Sequence, residues 1–130
     1  MRILVTGANG QLGNEMQVLA KENPQHTYYF TDVQELDICN KDAVWAYIAE
    51  KRIELIVNCA AYTAVDKAED DSELAYKLNS EAPKTLACAA QFNGAAIIQV
   101  STDYVFDGTA HIPYTEECDP CPNSVYGTTK

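Results

Sequence analysis

The chain has 130 residues, a length that suits one domain with a buried core. Apolar residues make up 47% of the sequence, which is typical of a globular protein. Nineteen acidic and nine basic residues give a net charge of −10, which argues against a nucleic-acid or anionic-membrane partner.

Short apolar runs alternate with segments of helical spacing along the first hundred residues. The predicted elements, in chain order, are a strand at 2–6, a helix at 12–22, a strand at 27–31, a helix at 42–52, a strand at 55–60, a helix at 72–92 that Pro83 kinks or divides, and a strand at 95–100. Alternating strands and helices form βαβ units, so the predicted fold class is α/β, a Rossmann-type doubly wound parallel sheet. Ligands in such sheets bind beyond the carboxyl ends of the strands.

A glycine-rich turn, residues 7–13 (GANGQLG), separates the first predicted strand from the first helix. Its glycines Gly7, Gly10 and Gly13 suit a tight turn against a dinucleotide, whose pyrophosphate would bind the N–H groups that open the helix. Asp32 follows the second strand about 20 residues on, where a carboxylate binds the adenosine ribose. The alternative is an ordinary loop aspartate. A carboxylate there repels a 2′-phosphate and favours NAD over NADP, with both cofactors left open.

Tyr126 and Lys130 are four residues apart, so on a helix they share one face. A neighbouring ammonium stabilises a phenolate and makes the phenol a better proton donor. Such pairs are common on ordinary helices. Together with Ser101 and Thr102 after an apolar run, and with the glycine turn, the pair predicts a nicotinamide-dependent carbonyl reductase.

Five cysteines without a disulfide framework, and no secretory segment after Met1, predict reduced thiols and a cytoplasmic protein. Cys118 and Cys121 form a single CxxC. A zinc site would need a second pair of ligands, and a redox dithiol would need a helix N-terminus. Neither is evident, so we expect two loop thiols and no metal.

Two longer strings make the interpretation more specific. The strings are residues 58–69 (NCAAYTAVDKAE) and residues 101–108 (STDYVFDG). With the glycine turn and the final YGTTK, they occur in the order seen in extended short-chain dehydrogenases. The whole chain resembles the dTDP-4-dehydrorhamnose reductases of that superfamily, which reduce a 4-keto sugar to dTDP-L-rhamnose with NADH or NADPH.

The resemblance also implies which residues contact the cofactor. Those residues are Gly10, Gln11 and Leu12 at the pyrophosphate, Asp32, Asp37 and Ile38 at the adenosine, and Ala61, Tyr62 and Thr63 at the ribose and nicotinamide.

For the reaction itself, the resemblance implies that Thr102 donates a hydrogen bond to the substrate carbonyl and that Asp103 touches the substrate. Tyr126 would be the general acid and Lys130 would hold the ribose. Asn79 matches a residue that supports a proton relay to the lysine. The alternative for Asn79 is a helix asparagine bonded to its local backbone.

Members of this family are roughly twice the size of one domain. We therefore expect residues 1–130 to be an incomplete NAD(P)-binding Rossmann domain that lacks the C-terminal substrate region. We expect no reduction of the keto sugar by this chain alone, and we expect residues 126–130 to be frayed or held only by local contacts. We also expect self-association through the open edge of the fourth strand, and a homodimer as one form of the protein. Two alternatives remain: a reductase or epimerase for another nucleotide sugar, or a non-catalytic homologue like the regulatory subunit of methionine adenosyltransferase.

Overall fold

The computed structural model describes all 130 residues, and its centre is one parallel sheet of four strands. The strands are β1 (Arg2–Thr6), β2 (Thr27–Thr31), β3 (Leu55–Asn58) and β4 (Ala96–Gln99). Their order is β2–β1–β3–β4, so the chain leaves β1 on one side towards β2 and returns on the other side at β3. The gap between β1 and β3 is therefore the topological switch point, where open α/β sheets bind ligands. The predicted fold class is confirmed.

Helices connect the strands and cover the sheet. They are α1 (Gln11–Glu22), α2 (Lys41–Lys51), α3 (Val65–Asp70), α4 (Ser72–Tyr76), a π-turn (Lys77–Glu81), α5 (Ala82–Asn93), a 3-10 turn (Asp103–Val105) and α6 (Val125–Thr129). No helix has the length and apolarity that a bilayer span requires.

The larger part of the core lies between the sheet and the pair α2 and α5. Leu4 and Ile56 on the sheet pack with Val44, Ile48 and Leu86 on the helices, and all five side chains are fully buried. Each such side chain contributes roughly 1.5–3 kcal/mol through burial. On the opposite face α1 covers β1 and β2. The β4 side of that face is more open, and Ile98 there is 53% exposed.

The predicted segment 72–92 is helical throughout, from α4 through the π-turn to α5. Its irregularity was expected at Pro83 and is instead the π-turn at Lys77–Glu81, upstream of the proline. Pro83 itself lies in the first turn of α5, directly after the π-turn. Helix α3 was not predicted, and it is a six-residue helix without a side-chain cap.

The glycine turn depends on two close backbone approaches. Gly7 has a φ of +62°, and a Cβ there would lie 2.7 Å from Cα and N of Ala60. Gly13 lies on the buried side of α1, and a Cβ there would lie 2.6 Å from Cα of Ala8. These approaches seat the turn directly on the ends of β1 and β3.

We expect Gly13→Ala to lower the free energy of unfolding by about 1–3 kcal/mol, the usual size of an overpacking cost. The sign is informative because alanine is favoured over glycine inside a helix by about 1 kcal/mol. Gly10→Ala is the matched control, since its Cβ would lie 3.3 Å from only one atom, the carbonyl oxygen of Gly7. Urea unfolding measures both, and a Gly13→Ala protein as stable as the original would contradict the packing argument.

Candidate functional site

A cleft of about 810 Å³ opens beyond the carboxyl ends of all four strands. The predicted site residues that line it are Gly7, Gly10, Gln11, Leu12, Asp32, Asp37, Ile38, Ala61, Thr63, Tyr126 and Lys130. Residues from the first and last tenths of the chain thus share one site. The cleft therefore lies where the predicted fold places a ligand, beyond the carboxyl ends of the strands.

One end of the cleft is formed by the N-terminus of α1. Gly10 caps this helix in an extended conformation, and no side chain bonds to its first amides. The opening N–H groups of a helix have no intrahelical acceptor and favour a negative charge. The amides of Gln11 and Leu12 are therefore free to accept an anion as a hydrogen-bond partner.

Asp32 lies at the end of β2 and borders this part of the cleft. Its carboxylate accepts hydrogen bonds from the N–H of Asn9 at 3.0 Å and from the N–H of Val33 at 2.8 Å. These bonds fix the carboxylate and tie the glycine turn to β2. Glu15 and Asp37 line the same region, and Lys130 is the one basic residue lining the cleft. The electrostatic environment at Asp32 is therefore acidic.

A row of hydrogen bonds crosses the strand ends beneath the cleft. The hydroxyl of Thr6 donates to Oδ1 of Asn58, and Nδ2 of Asn58 donates to Oε1 of Gln99 at 2.7 Å. Nε2 of Gln99 donates to the carbonyl of Val100 at 3.0 Å. The same carbonyl accepts from Nζ of Lys130 at 2.9 Å. The row connects the sheet to Lys130. In the sequence, the polar residues at the ends of successive strands are the pattern from which it could have been predicted.

Tyr126 and Lys130 both reach the cleft from α6. Tyr126 is only 8% exposed and packs against Ala68 and Ala75, with its ring edge-on to Tyr104 at 5.6 Å. Burial lowers the pKa of the Lys130 ammonium. The prediction that these residues are frayed or held only by local contacts is therefore wrong. Long-range packing, rather than helical propensity, keeps this short turn ordered.

Side chains cap the N-terminal end of α6. Oγ of Ser124 accepts from the N–H of Gly127 at 3.0 Å, and Oε1 of Glu69 accepts from the N–H of Val125 at 3.0 Å. Gly127 packs so closely on the backbone carbonyl of Tyr104 that no Cβ would fit. The 3-10 turn after β4 therefore sets the position of α6 from one side.

The π-turn holds the C-terminal end of α6. Nδ2 of Asn79 donates to Oγ1 of Thr129 at 3.1 Å, and Oγ of Ser80 donates to the carbonyl oxygen of Thr129 at 2.5 Å. Asn79 also bonds the backbone of Tyr62. The side-chain bonds of Asn79 are thus non-local, which rejects the alternative of a local backbone bond. A proton relay through Asn79 stays a prediction.

Four predicted site residues do not line the cleft. Gly13 faces the backbone of Ala8, and the Tyr62 hydroxyl donates to Oδ2 of Asp71 at 3.3 Å. Thr102 caps the 3-10 turn, and its hydroxyl donates to Oδ1 of Asp103 at 3.1 Å. The roles assigned to Tyr62, Thr102 and Asp103 stay predictions.

The CxxC cysteines lie outside the cleft. Cys118 and Cys121 are free, exposed thiols in a stretch without helix or strand. Hydrogen bonds from Thr115 lower the pKa of the Cys118 thiol. No three His, Cys, Asp or Glu side chains are grouped to hold a metal ion.

Curated relatives match nearly the whole of this chain. A protein of Streptomyces antibioticus named "Probable dTDP-4,6-dihydroxy-2-methyloxan-3-one 4-ketoreductase" is 44% identical over 131 residues, covering 100% of this chain and 44% of the relative. A dTDP-4-dehydrorhamnose reductase of Streptomyces griseus is 44% identical over 129 residues, covering 99% and 42%. The chain therefore spans less than half the length of these relatives.

Solved structures share the fold closely. A dTDP-4-dehydrorhamnose reductase of Clostridium acetobutylicum superposes with a TM-score of 0.96 at 53% identity, covering 99% of this chain and 46% of that one. A dTDP-4-dehydrorhamnose reductase of Bacillus anthracis, solved in complex with NADP, gives a TM-score of 0.93 at 41% identity, covering 98% and 45%. The family model described as the RmlD substrate binding domain matches residues 1–130, and this chain accordingly belongs to that family.

Proposed function

We propose that this chain is the dinucleotide-binding part of a reductase that acts on the keto group of a dTDP-linked deoxysugar, dTDP-4-dehydrorhamnose, to give dTDP-L-rhamnose. One observation carries the proposal: a single cleft has a helix N-terminus and glycine turn at one end, and Tyr126 and Lys130 at the other. An anion cradle and a proton donor at opposite ends suit a nicotinamide dinucleotide that lies between them.

The residues present fit NADH or NADPH. The amides of Gln11 and Leu12 have no side-chain partner and would hold the pyrophosphate. Gly7, where a Cβ would clash with the backbone of Ala60, seats the turn on the end of β3, and Gly10 would let the backbone approach the pyrophosphate. The cleft volume lies within the range of about 300–1,000 Å³ that is usual for small-molecule sites. When bound, the cofactor supplies the hydride.

The chain's own residues handle the proton. The phenol of Tyr126 would donate its proton to the sugar oxygen as negative charge develops there. The Lys130 ammonium uses one N–H for the carbonyl of Val100, so its other donors are free for the ribose and the phenol. The Thr102 hydroxyl would have to turn from Asp103 towards the substrate carbonyl to polarise it.

Two relatives with different sugar substrates in their names match this chain equally well, so the identity of the sugar has two candidates. The ketoreductase of S. antibioticus and the dTDP-4-dehydrorhamnose reductase of S. griseus are both 44% identical to this chain. Both names describe reduction of a dTDP-linked sugar, so the reaction type is common to them. Turnover of the two keto sugars by a polypeptide that carries this chain's residues decides between them.

We also infer a cytoplasmic location and a homodimer. Five free thiols support the location, since reduced cysteines are usual in that compartment. The dimer is inferred from β4, which pairs only with β3 and leaves its other edge unpaired. Light scattering during size-exclusion chromatography would test the dimer.

We expect Asp32→Ala to weaken binding of NADH more than binding of NADPH. The change removes a ribose hydrogen bond and, at the same time, the repulsion of a 2′-phosphate. The ratio of the two dissociation constants should shift by about tenfold, or about 1.4 kcal/mol. Calorimetric titration of the 130-residue protein measures both constants. Asp42→Ala, at a position outside the cleft, is the control, and equal losses for both cofactors would place Asp32 away from the ribose.

We expect Tyr126→Phe to lower turnover by about 10²–10⁴-fold, the usual effect of a lost general acid. The measurement uses a chimaera in which this chain replaces the matching part of the S. griseus reductase. Dinucleotide affinity should stay nearly unchanged, because the phenol acts on the sugar.

Lys130→Ala in the same chimaera should reduce both turnover and dinucleotide affinity, since the lysine also holds the ribose. Near-normal turnover by the Tyr126→Phe chimaera would show that another group donates the proton.

A further inference from the structure

The π-turn makes contacts in two directions. On one side, Asn79 and Ser80 bond to Thr129, which lies between the two catalytic candidates on α6. On the other side, Asn79 forms a pair of bonds with one residue of the loop after β3. Its Oδ1 accepts from the N–H of Tyr62 at 2.8 Å, and its Nδ2 donates to the carbonyl of Tyr62 at 3.1 Å.

The two neighbours of Tyr62 in that loop, Ala61 and Thr63, line the cleft. Thr129 on α6 is 50 residues from Asn79 in the sequence, and the loop is further from α6 still. Asn79 is therefore a bridge between a cleft-lining loop and the turn that carries Tyr126 and Lys130.

Burial makes this bridge strong. Asn79 is only 4% exposed, and Thr129 is also 4% exposed. A buried polar group that loses its partner costs about 1–3 kcal/mol, because water cannot replace the lost bond. Nδ2 of Asn79 serves both Tyr62 and Thr129, so movement of either partner disturbs the bond to the other.

The backbone at Asn79 supports the same interpretation. Residues 77–81 form a π-turn between two α-helical segments. Such turns are rare in proteins overall, and those that occur are often found at functional sites. The turn places consecutive side chains, Asn79 and Ser80, on the same residue of α6.

We propose that Asn79 is a positioning residue that couples the loop after β3 to the turn of α6, so that order in one favours order in the other. Dinucleotide binding against Ala61 and Thr63 then stabilises the Tyr126–Lys130 geometry, and the stabilised turn tightens dinucleotide binding by the same factor. The ligand half of this statement rests on the proposed function. The coupling itself is a property of the free protein.

Hydrogen exchange in the free protein tests the coupling at single amides. Thr129→Val removes the hydroxyl that Asn79 bonds. We expect exchange at the Tyr62 amide, on the far side of Asn79, to accelerate at least threefold. Thr129→Ser keeps the hydroxyl and should restore the original rate. Thr128→Val is the matched control, because the Thr128 hydroxyl bonds only to Ser124 within the same turn.

Asn79→Ala is the second variant and should accelerate exchange at both the Tyr62 amide and the Lys130 amide. Urea unfolding checks that each variant is folded. If Asn79→Ala does not fold, the comparison of Thr129→Val with Thr129→Ser still tests the coupling. A Thr129→Val protein whose Tyr62 amide exchanges at the original rate would overturn the coupling.

NADH titration provides the ligand arm. In the original protein, saturating NADH should slow exchange at the Lys130 amide, and in Thr129→Val this slowing should be at least threefold smaller. Binding of NADH without any slowing at α6 would overturn the proposal while leaving the dinucleotide site intact. Absence of NADH binding would count against the proposed function instead, and the free-protein arm would still decide the coupling.

Discussion

The in-register parallel pairing of four short strands is the constraint on which the site depends. Thr6 pairs with both Thr31 and Asn58, and Asn58 pairs with Gln99, so all four strands end at one level. Parallel strands require long crossovers, and the helices in those crossovers occupy the faces of the sheet. The carboxyl edge is then the place where loops can meet a ligand. A shift of one strand by one residue would also move its core side chains to the wrong face.

Two independent anchors position the catalytic candidates on this edge. Lys130 is held to the carbonyl of Val100, which the polar row from Thr6 through Asn58 and Gln99 fixes to the sheet. Tyr126 is instead held by apolar packing and by the helical segments before α5. The distance between the phenol and the ammonium is therefore set by the sheet and the helical layer together.

The sequence predicted the features that local chemistry determines. All four strands, the α/β class, the glycine turn and the position of Asp32 follow from apolar runs and from glycines at strand ends. The failures have a different cause. The order of residues 126–130 depends on bonds between residues about 50 apart, such as Asn79 to Thr129. No local pattern reports such a bond, so propensity alone predicted a poorly held turn there. The irregularity in the helical segment 72–92 was expected at its proline, whereas the π-turn lies upstream of Pro83.

The two ends of the cleft consequently have different vulnerabilities. The end at the glycine turn is built from contiguous residues, the turn and the start of α1, together with one hydrogen-bonded carboxylate at Asp32. The end that carries Tyr126 and Lys130 needs contacts from the distant helical stretch 65–81, and its turn is too short to stay helical without them. On the proposed roles, a homologue that keeps a tyrosine and a lysine at this spacing but loses the partners of Asn79 would hold its proton donor poorly. We therefore propose that retention of the bridge is a sharper criterion than the Tyr–Lys spacing for separating a reductase from a non-catalytic relative.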